Sequence, residues 1–231
     1  MKNFDTLHSC TVRTDTCECF NLLSLEEMAL IEENQVEIKY KKGEVLCKHG
    51  TFVSHVIFLQ TGLIKVYLEG EHDSLILKII PAGNLVNLSS VLKGNNIFHY
   101  SAAAYEETVA ILIDIKVFRH LLNTNAPFAA SIIDILCENS IQTFGRFFSL
   151  THKQLYGRLA DILLCLAERI FKAMNFELNI TRKELAELSG MSTESVIRML
   201  KKFKDDGIIS MDEKKISIMD YDKLHQISQF G

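Results

Sequence analysis

The sequence lacks the features that mark several common classes of protein. It has only two Pro, so it contains no Pro-rich linker. It has no run of about 18 apolar residues, the length at which a membrane-spanning helix is predicted. Its first residues, MKNFDTLHSCTVRTD, lack the apolar core of a signal peptide, so we expect no export. No P-loop, nucleophile elbow or His-Glu-x-x-His pattern is present, and we expect no enzyme.

The composition allows one large domain or two smaller ones, because 48% of the 231 residues are hydrophobic. Six Cys without a signal sequence favour reduced thiols, a metal site or a sensor over structural disulfides. The net charge of −4 argues against nonspecific binding to nucleic acid. The charge is uneven, however: residues 1–150 carry −5 and residues 151–231 carry +1. A DNA-binding surface would therefore need its basic residues on one face of the C-terminal part.

Short alternating or β-branched segments between Val36 and Asp114 predict an antiparallel barrel, roll or sandwich. Gly residues separate these segments at regular intervals. The strand-like segments are VEIKY, HVIFL, LIKVYL, SLILKII and TVAILI. A capping-box pattern at Ser24–Glu27 predicts a helix before them.

Helical periodicity replaces the strand pattern after Asp114. VFRHLLNT predicts a short helix, and Pro127 then opens a long one that runs to about Leu150. The long helix has an apolar stripe, which either packs on the chain's own β domain or pairs with its twin in a homodimer. The stripe consists of Ile133, Leu136, Cys137, Ser140, Phe144, Phe147 and Phe148. Cys137 and Cys165 lie in apolar helical contexts, and we expect both in the core.

The segment TRKELAELSGMSTESVIRMLKKF, residues 181–203, predicts a helix-turn-helix. A capping box at Thr181–Glu184 begins the first helix, Gly190 ends it, and Ser192 caps the second. The next helix has an apolar face of Val196, Met199, Leu200 and Phe203. Two short strands, IIS and ISIM, on either side of a charged turn in GIISMDEKKISIMD then predict a hairpin, or wing.

The polar face of the second helix has the side chains that read DNA bases. Arg198 can donate two hydrogen bonds to guanine O6 and N7, and Glu194 can accept one from cytosine N4. Four side chains are placed to contact phosphates, namely Thr181, Arg182, Ser192 and Lys201. Alternatively, Glu194 and Arg198 form an ordinary surface ion pair between residues i and i+4.

This order of elements resembles the CRP/FNR family of bacterial transcription regulators over nearly the whole chain. STESVIRML is similar to the family's recognition helix, with Glu194 and Arg198 at its Glu-x-x-x-Arg positions. The resemblance implies base contacts by Thr193, Glu194, Ile197 and Arg198. Thr193 and Ile197 differ from the residues of the cyclic-AMP and FNR branches, respectively, so the outer bases of the half-site stay open.

The resemblance implies an α+β protein that is a cytoplasmic homodimer bound to palindromic DNA with TGA-like half-sites, and that contacts RNA polymerase. Its implied parts are an N-terminal antiparallel β-roll, a long dimerisation helix and a C-terminal winged helix-turn-helix. The expected bounds are a Cys-containing segment over 1–22, the sensor roll over 23–126, the dimerisation helix over 127–150 and the DNA-binding domain over 151–231.

The expected effector pocket departs from that of the cyclic-nucleotide binders in the family. Asn84 replaces the Glu that would hold the ribose, and Tyr100 replaces the Arg that would pair with the cyclic phosphate. A buried phosphate without a cationic partner is costly, so we expect no cyclic nucleotide. The matching residues are Gly83, Asn84, Leu85, Tyr100 and Ser101.

Three N-terminal Cys resemble the cluster-binding segment of the FNR branch. Cys10, Cys17 and Cys19 precede the first helix, but their C-x6-C-x-C spacing departs from the FNR pattern and the distant fourth Cys is missing. Cys47 or His49 could replace it. An iron–sulfur cluster, thiol or other metal sensing, haem or nitric oxide sensing, another ligand and no ligand all stay open.

Two functions of different classes therefore follow from the sequence. The first is a sequence-specific regulator controlled through its roll. The second is a small-molecule or redox binding module whose helix-turn-helix mainly serves protein interaction. The sequence leaves open the effector, the target genes and whether transcription rises or falls.

Overall fold

The computed structural model describes residues 16–71 and 73–231, and these form two compact units. One unit contains the described residues up to Leu68 together with Ile79–Ser140. The other contains Ile141–Gly231 and the described residues between Glu69 and Lys78. In the described part of the chain, no helix has the length and apolar character needed to cross a membrane.

Two four-stranded antiparallel sheets form the N-terminal roll. The first sheet has the order β1-β8-β3-β6 and the second has the order β2-β7-β4-β5. The strands are β1 (Gln35–Tyr40), β2 (Val45–Cys47), β3 (His55–Thr61), β4 (Leu63–Glu69), β5 (Ser74–Pro81), β6 (Leu85–Val86), β7 (Ser101–Ala104) and β8 (Thr108–Asp114).

The predicted strands are confirmed, and the ones that the sequence missed are short. In β3, Val56, Ile57 and Leu59 are buried beside β8. Strand β6 has only two residues, and β2 has three. Such short segments are too brief to show a period of two, so their pairing with long neighbours decides their structure.

Seven α-helices accompany the sheets in the described chain. They are α1 (Leu25–Glu33), α2 (Ile115–Thr124), α3 (Ala126–His152), α4 (Leu155–Cys165), α5 (Arg182–Ser189), α6 (Thr193–Asp205) and α7 (Tyr221–Phe230). The Ser24–Glu27 capping box of α1 is confirmed, and Pro127 lies in the first turn of α3 as predicted. Helix α7 was missed because its start has no capping box, although the Asp220 side chain caps it.

The apolar stripe predicted on α3 lies mainly on its outer surface in the single chain. Ile133, Phe144 and Phe147 are 58%, 69% and 67% exposed. A different face of the helix, with Phe128, Ile132 and Ile135, is buried. The prediction that Cys137 lies in the core is wrong, because this residue is on the exposed side of α3. Cys165 is fully buried, as predicted.

The C-terminal unit contains a three-stranded sheet beside its helices. Strands β9 (Asn175–Glu177), β10 (Ile209–Asp212) and β11 (Lys215–Ile218) pair in the antiparallel order β10-β11-β9. Strands β10 and β11 form the predicted hairpin, in which Asp212 lies opposite Lys215. The sequence did not predict the third strand.

Candidate nucleic-acid interface

The predicted pair of helices, α5 and α6, has all three of the expected local signals. Thr181 and Glu184 form a reciprocal capping box at the start of α5. Gly190 ends α5 in the left-handed conformation, with φ 62° and ψ 46°. The Ser192 hydroxyl accepts the Ser195 N–H and caps α6. These contacts satisfy backbone groups at the helix ends and fix where each helix begins and stops.

The turn between α5 and α6 is also held by residues far away in the sequence. A Cβ at position 190 would lie 2.8 Å from Leu150 Cδ2, so only Gly fits there without movement. Arg158 Nη1 donates to the Gly190 carbonyl at 3.3 Å. The buried Arg146 donates from Nη2 to the Leu188 carbonyl in the last turn of α5. Sequence reasoning missed both Arg residues. Each is a charged residue in a largely apolar helix, α3 or α4, and this could have marked them in the sequence.

Helix α6 buries one face and exposes the other. Val196, Met199, Leu200 and Phe203 are buried, as predicted. Glu194, Arg198 and Lys201 are exposed on the opposite side, and Ile197 between them is 53% exposed. Glu194 to Lys201 covers eight residues, or about 10 Å along the helix axis. An α-helix with its side chains is about 10–12 Å across, so it fits in the major groove, which is about 12 Å wide.

The charged residues of this stripe are available to a ligand. Among the ion pairs of the described residues, none joins Glu194 to Arg198. Hydrogen bonds from the Glu194 backbone N–H and from Ser192 lower the pKa of the Glu194 carboxyl. Glu194 is therefore an ionised acceptor at neutral pH. Arg198 forms no ion pair with any of the residues that the structure describes, and its guanidinium offers five N–H donors.

The three Lys residues at the end of α6 differ in their surroundings. Lys202 Nζ lies 5.0 Å from the centre of the Tyr156 ring, and Lys204 Nζ donates to the Met211 carbonyl at 3.2 Å. Lys201 is exposed, and within the described chain it makes no ion pair or cation–π contact. Of the three ammonium groups, that of Lys201 is thus the most accessible to a phosphate.

The other predicted DNA-contacting residues lie at the two helix starts. Thr181 and Ser192 are exposed N-caps, and Thr193 is the first, half-buried residue of α6. Arg182 is half-buried at the start of α5, where burial lowers its pKa. Helix N-termini favour anions, so this arrangement suits phosphate oxygens.

In the predicted effector pocket, the polar side chains of Asn84 and Tyr100 form hydrogen bonds with backbone groups of the roll. The Asn84 amide donates to the carbonyls of Pro81 and Ala82, at 3.1 and 3.3 Å. The Tyr100 hydroxyl accepts the Asn87 N–H at 2.8 Å, and burial raises its pKa. Tyr100 is therefore uncharged at neutral pH and cannot replace the missing cation.

The remaining pocket residues are part of the same packed region. Gly83 has φ 83° and is buried with Leu85. The buried Ser101 hydroxyl accepts the His49 N–H at 3.1 Å. Sequence reasoning missed Asn87, a buried residue with φ 71° whose side chain accepts from Ser90. No pattern marks a left-handed Asn in advance.

The N-terminal Cys do not form a cluster-binding site among the described residues. Cys17 and Cys19 are joined to each other as a disulfide, and Cys10 lies outside the described residues. In the described chain, no group of three or more Cys, His, Asp or Glu could hold a metal. Burial raises the pKa of Cys47 to about 12, which disfavours the thiolate that a metal requires.

Two family models match most of the chain. Residues 37–125 match the model of the cyclic nucleotide-binding domain. Residues 157–227 match the model of the Crp-like helix-turn-helix domain.

Curated relatives match the chain nearly from end to end. Electron transport regulator A of Shewanella oneidensis is 25% identical over 227 residues, which is 96% of this chain and 89% of the relative. The fumarate and nitrate reduction regulatory protein of Escherichia coli is 25% identical over 231 residues, covering 95% of this chain and 91% of the relative.

Solved structures share the fold at lower identity. A CooA mutant from Carboxydothermus hydrogenoformans is 21% identical with a TM-score of 0.76, over 95% of this chain and 99% of that one. A CRP/FNR-family transcriptional regulator from Thermus thermophilus is 21% identical with a TM-score of 0.67, over 84% and 98% of the two chains. These structures confirm the expected fold, in which a cyclic-nucleotide-binding-like domain precedes a long helix and a helix-turn-helix.

Proposed function

The chain belongs to the CRP/FNR family of transcriptional regulators, and we propose that it binds palindromic DNA as a homodimer. In this proposal α6 enters the major groove of each half-site. Glu194 and Arg198 read one G·C pair, while Thr193 and Ile197 contact the neighbouring bases. Thr181, Arg182, Ser192 and Lys201 fix the helix by contacts to phosphates.

The observation that carries this proposal is the exposed stripe of α6. Its carboxylate and its guanidinium are not paired with each other, and both stand on a helix whose opposite face is buried. Arg146 and Arg158 donate to carbonyl groups at the end of α5 and in the turn just before this helix. Donors and acceptors fixed in this way can discriminate base edges, whereas flexible charged chains mainly attract phosphates.

The homodimer is supported by the exposed apolar face of α3. Ile133, Ile141, Phe144, Phe147 and Phe148 are all about half exposed or more in the single chain. Several large apolar side chains on one helix are costly in water, and a second copy would bury them. Two copies related by a twofold axis would present two α6 helices to a palindrome.

Base reading is tested by selecting a binding site from random duplexes and then changing one residue. We expect a palindrome with TGA-like half-sites. Arg198→Ala should remove the preference for one G·C pair, at a cost of about 1–3 kcal/mol on the selected site. Arg198→Lys is the matched control, because it keeps the charge but loses the two-donor fork. Equal losses on all sequences would make Arg198 a phosphate contact.

Phosphate contact is tested separately with Lys201→Ala. This change should weaken binding to all sequences alike and reduce the slope of log affinity against log salt by about one. Lys116→Ala removes one exposed Lys from the roll and should leave the slope unchanged. A Lys201→Ala slope equal to that of the Lys116 control would remove Lys201 from the interface.

The control of this activity is proposed to lie in the roll and the segment before it. The relatives include proteins named for electron transport and for fumarate and nitrate reduction, which favours a redox signal over a cyclic nucleotide. The cluster prediction for Cys10, Cys17 and Cys19 stays a prediction. It is tested by iron and sulfide analysis of protein purified without oxygen. Contact with RNA polymerase is proposed from the same family membership.

A further inference from the structure

Cys17 and Cys19 lie together against the roll, just before α1. Their sulfur atoms form a disulfide, and the Cys19 N–H donates to Cys17 Sγ at 3.3 Å. The two residues are 8% and 1% exposed, while Glu18 between them is exposed. The pair is thus covered but lies at the surface, so a local opening of a few residues would expose both sulfur atoms.

This segment is docked on the turn of the predicted effector pocket. The Cys17 N–H donates to the Gly83 carbonyl at 2.7 Å. A Cβ at Gly83 would lie 3.0 Å from Thr16 Cα, so the two backbones meet closely. Phe20 follows and contacts Phe58 with ring centres 5.3 Å apart. The segment therefore covers the turn where the family's nucleotide binders begin their pocket.

The same segment reaches the start of the long helix α3. The Asn125 amide donates to the Leu22 carbonyl at 3.1 Å and to Glu27 Oε2 at 2.9 Å. The Asn125 side-chain oxygen accepts the Phe128 N–H and so caps α3. One side chain thus connects the segment that contains the two Cys with the first turn of α3.

The Cys17–Cys19 disulfide can contribute little to the stability of the fold. It closes a loop with one residue between the two Cys, and so short a loop removes little entropy from the unfolded chain. Disulfides that persist for stability usually close longer loops, whereas those in reducing compartments are mostly transient, catalytic or sensing. The described residues also do not supply the ligand set of a cluster.

We propose that Cys17 and Cys19 are a reversible dithiol–disulfide pair that senses low-molecular-weight disulfides. The disulfide constrains the backbone of residues 17–19 in the conformation that docks on the Gly83 turn, and its reduction removes this constraint. An effect of the redox state on DNA affinity rests on the proposed function, whereas the thiol–disulfide chemistry of the two Cys does not.

The reaction is two successive thiol–disulfide exchanges. One Cys thiolate attacks the small disulfide, forming a mixed disulfide and releasing one small thiol. The second Cys thiolate then attacks the mixed disulfide at the protein sulfur and releases the second small thiol. The protein pair loses two electrons and two protons, and the small disulfide gains both to become two thiols. A small dithiol reverses the reaction.

The test equilibrates the full chain without oxygen in glutathione buffers of increasing oxidation, followed by acid quenching and alkylation. Trypsin cleaves after Arg13 and Lys39, so the peptide Thr14–Lys39 contains Cys17 and Cys19 but not Cys10. We expect this peptide to change from doubly alkylated to an unalkylated form lighter than the dithiol by two hydrogens. The change should follow a two-electron curve.

Four variants make the outcome decisive. Cys10→Ser and Cys137→Ser should keep the two-electron change, and Cys137 is a suitable control because it is an exposed free thiol. Cys17→Ser and Cys19→Ser should each abolish it and leave a single glutathione adduct on the Thr14–Lys39 peptide. Loss of the change in Cys10→Ser, or two glutathione adducts on the Thr14–Lys39 peptide of the unchanged protein, would overturn the proposal.

The loosening of residues 16–22 on reduction is measured separately, by hydrogen exchange. Hydrogen exchange of the peptide that contains residues 16–22 should be faster after reduction, because a less constrained backbone opens the Cys17 N–H bond to Gly83 more often. Equal exchange in the two states would overturn the docking role.

The output is measured as affinity for the selected DNA in both redox states. We expect the two states to differ on the order of fivefold or more, and Cys19→Ser to show no difference. Equal affinity of the two states would overturn the signalling role. Absence of specific binding in both states would instead contradict the proposed function and leave the mass measurement to decide the thiol chemistry.

Discussion

Lys78 in β5 shows how one buried charge affects stability. Burial lowers the pKa of its ammonium group from 10.5 to about 8. The unfolded chain therefore binds this proton more tightly than the folded chain does. It follows that the free energy of unfolding is lowest below about pH 8 and rises with pH towards the ordinary pKa.

Replacing Lys78 by Met should therefore stabilise the protein at neutral pH. We expect a gain of about 1 kcal/mol in urea unfolding at pH 7, since the side chain keeps some exposure to water. The gain should shrink as the pH is raised towards about 10, where the unchanged Lys is neutral in the folded chain. Lys116→Met, at an exposed site, should show no such pH dependence. A gain that is constant with pH would rule out charge burial as its cause.

Gly190 lies in the turn before α6, and its replacement tests how far one residue fixes this turn. Ala at this position must adopt φ 62° and place its Cβ 2.8 Å from Leu150 Cδ2. Gly207→Ala is the matched control, because its φ is 71° but nothing lies within 4 Å of the added Cβ. We expect Gly190→Ala to lower the free energy of unfolding by about 2 kcal/mol or more, and Gly207→Ala by about 1 kcal/mol. Equal losses would mean that Leu150 simply moves aside.

At the scale of elements, Arg146 connects α3 to two other parts of the same compact unit. Its guanidinium donates to the Ile76 carbonyl in β5 at 3.0 Å and to the Leu188 carbonyl at the end of α5. Burial lowers its pKa to about 10, partly opposed by the charge of Asp161. Arg146 is thus still charged at neutral pH, and a cation near a helix C-terminus is favourable.

Arg146→Met should destabilise the protein because it leaves two buried carbonyl groups without their donor. We expect a loss of about 1–3 kcal/mol in the free energy of unfolding, measured with urea. Arg146→Lys should lose less, because one ammonium group can still reach one of the two carbonyls. A Met variant as stable as the unchanged protein would show that the burial of the charge costs as much as its bonds contribute.

At the scale of the whole molecule, we propose that the exposed face of α3 forms the dimer interface. Phe147 is 67% exposed in the single chain, so Phe147→Glu should not disturb the fold of that chain. We expect this variant to be monomeric by sedimentation and to bind the full palindrome no more tightly than a half-site. Leu25→Glu introduces the same charge at a 91% exposed position on α1 and should stay dimeric. A dimeric Phe147→Glu protein would place the interface elsewhere.

The sequence by itself determined the elements that depend on local chemistry. Caps, the Gly190 turn and the apolar periodicity of α6 are interactions between near neighbours, so the chain specifies them directly. The same is true of the long strands of the roll. The departures at Asn84 and Tyr100 were likewise visible as residue types, before any geometry was known.

Only the tertiary structure decided which faces are covered and which distant groups meet. The stripe through Phe144 and Phe147 has the same period as a core face, and only packing shows that it lies outside. The bonds of Arg146 and the docking of Cys17 on Gly83 join residues that are more than 40 positions apart. Such contacts depend on how elements pack in three dimensions, and no local pattern in the sequence records them.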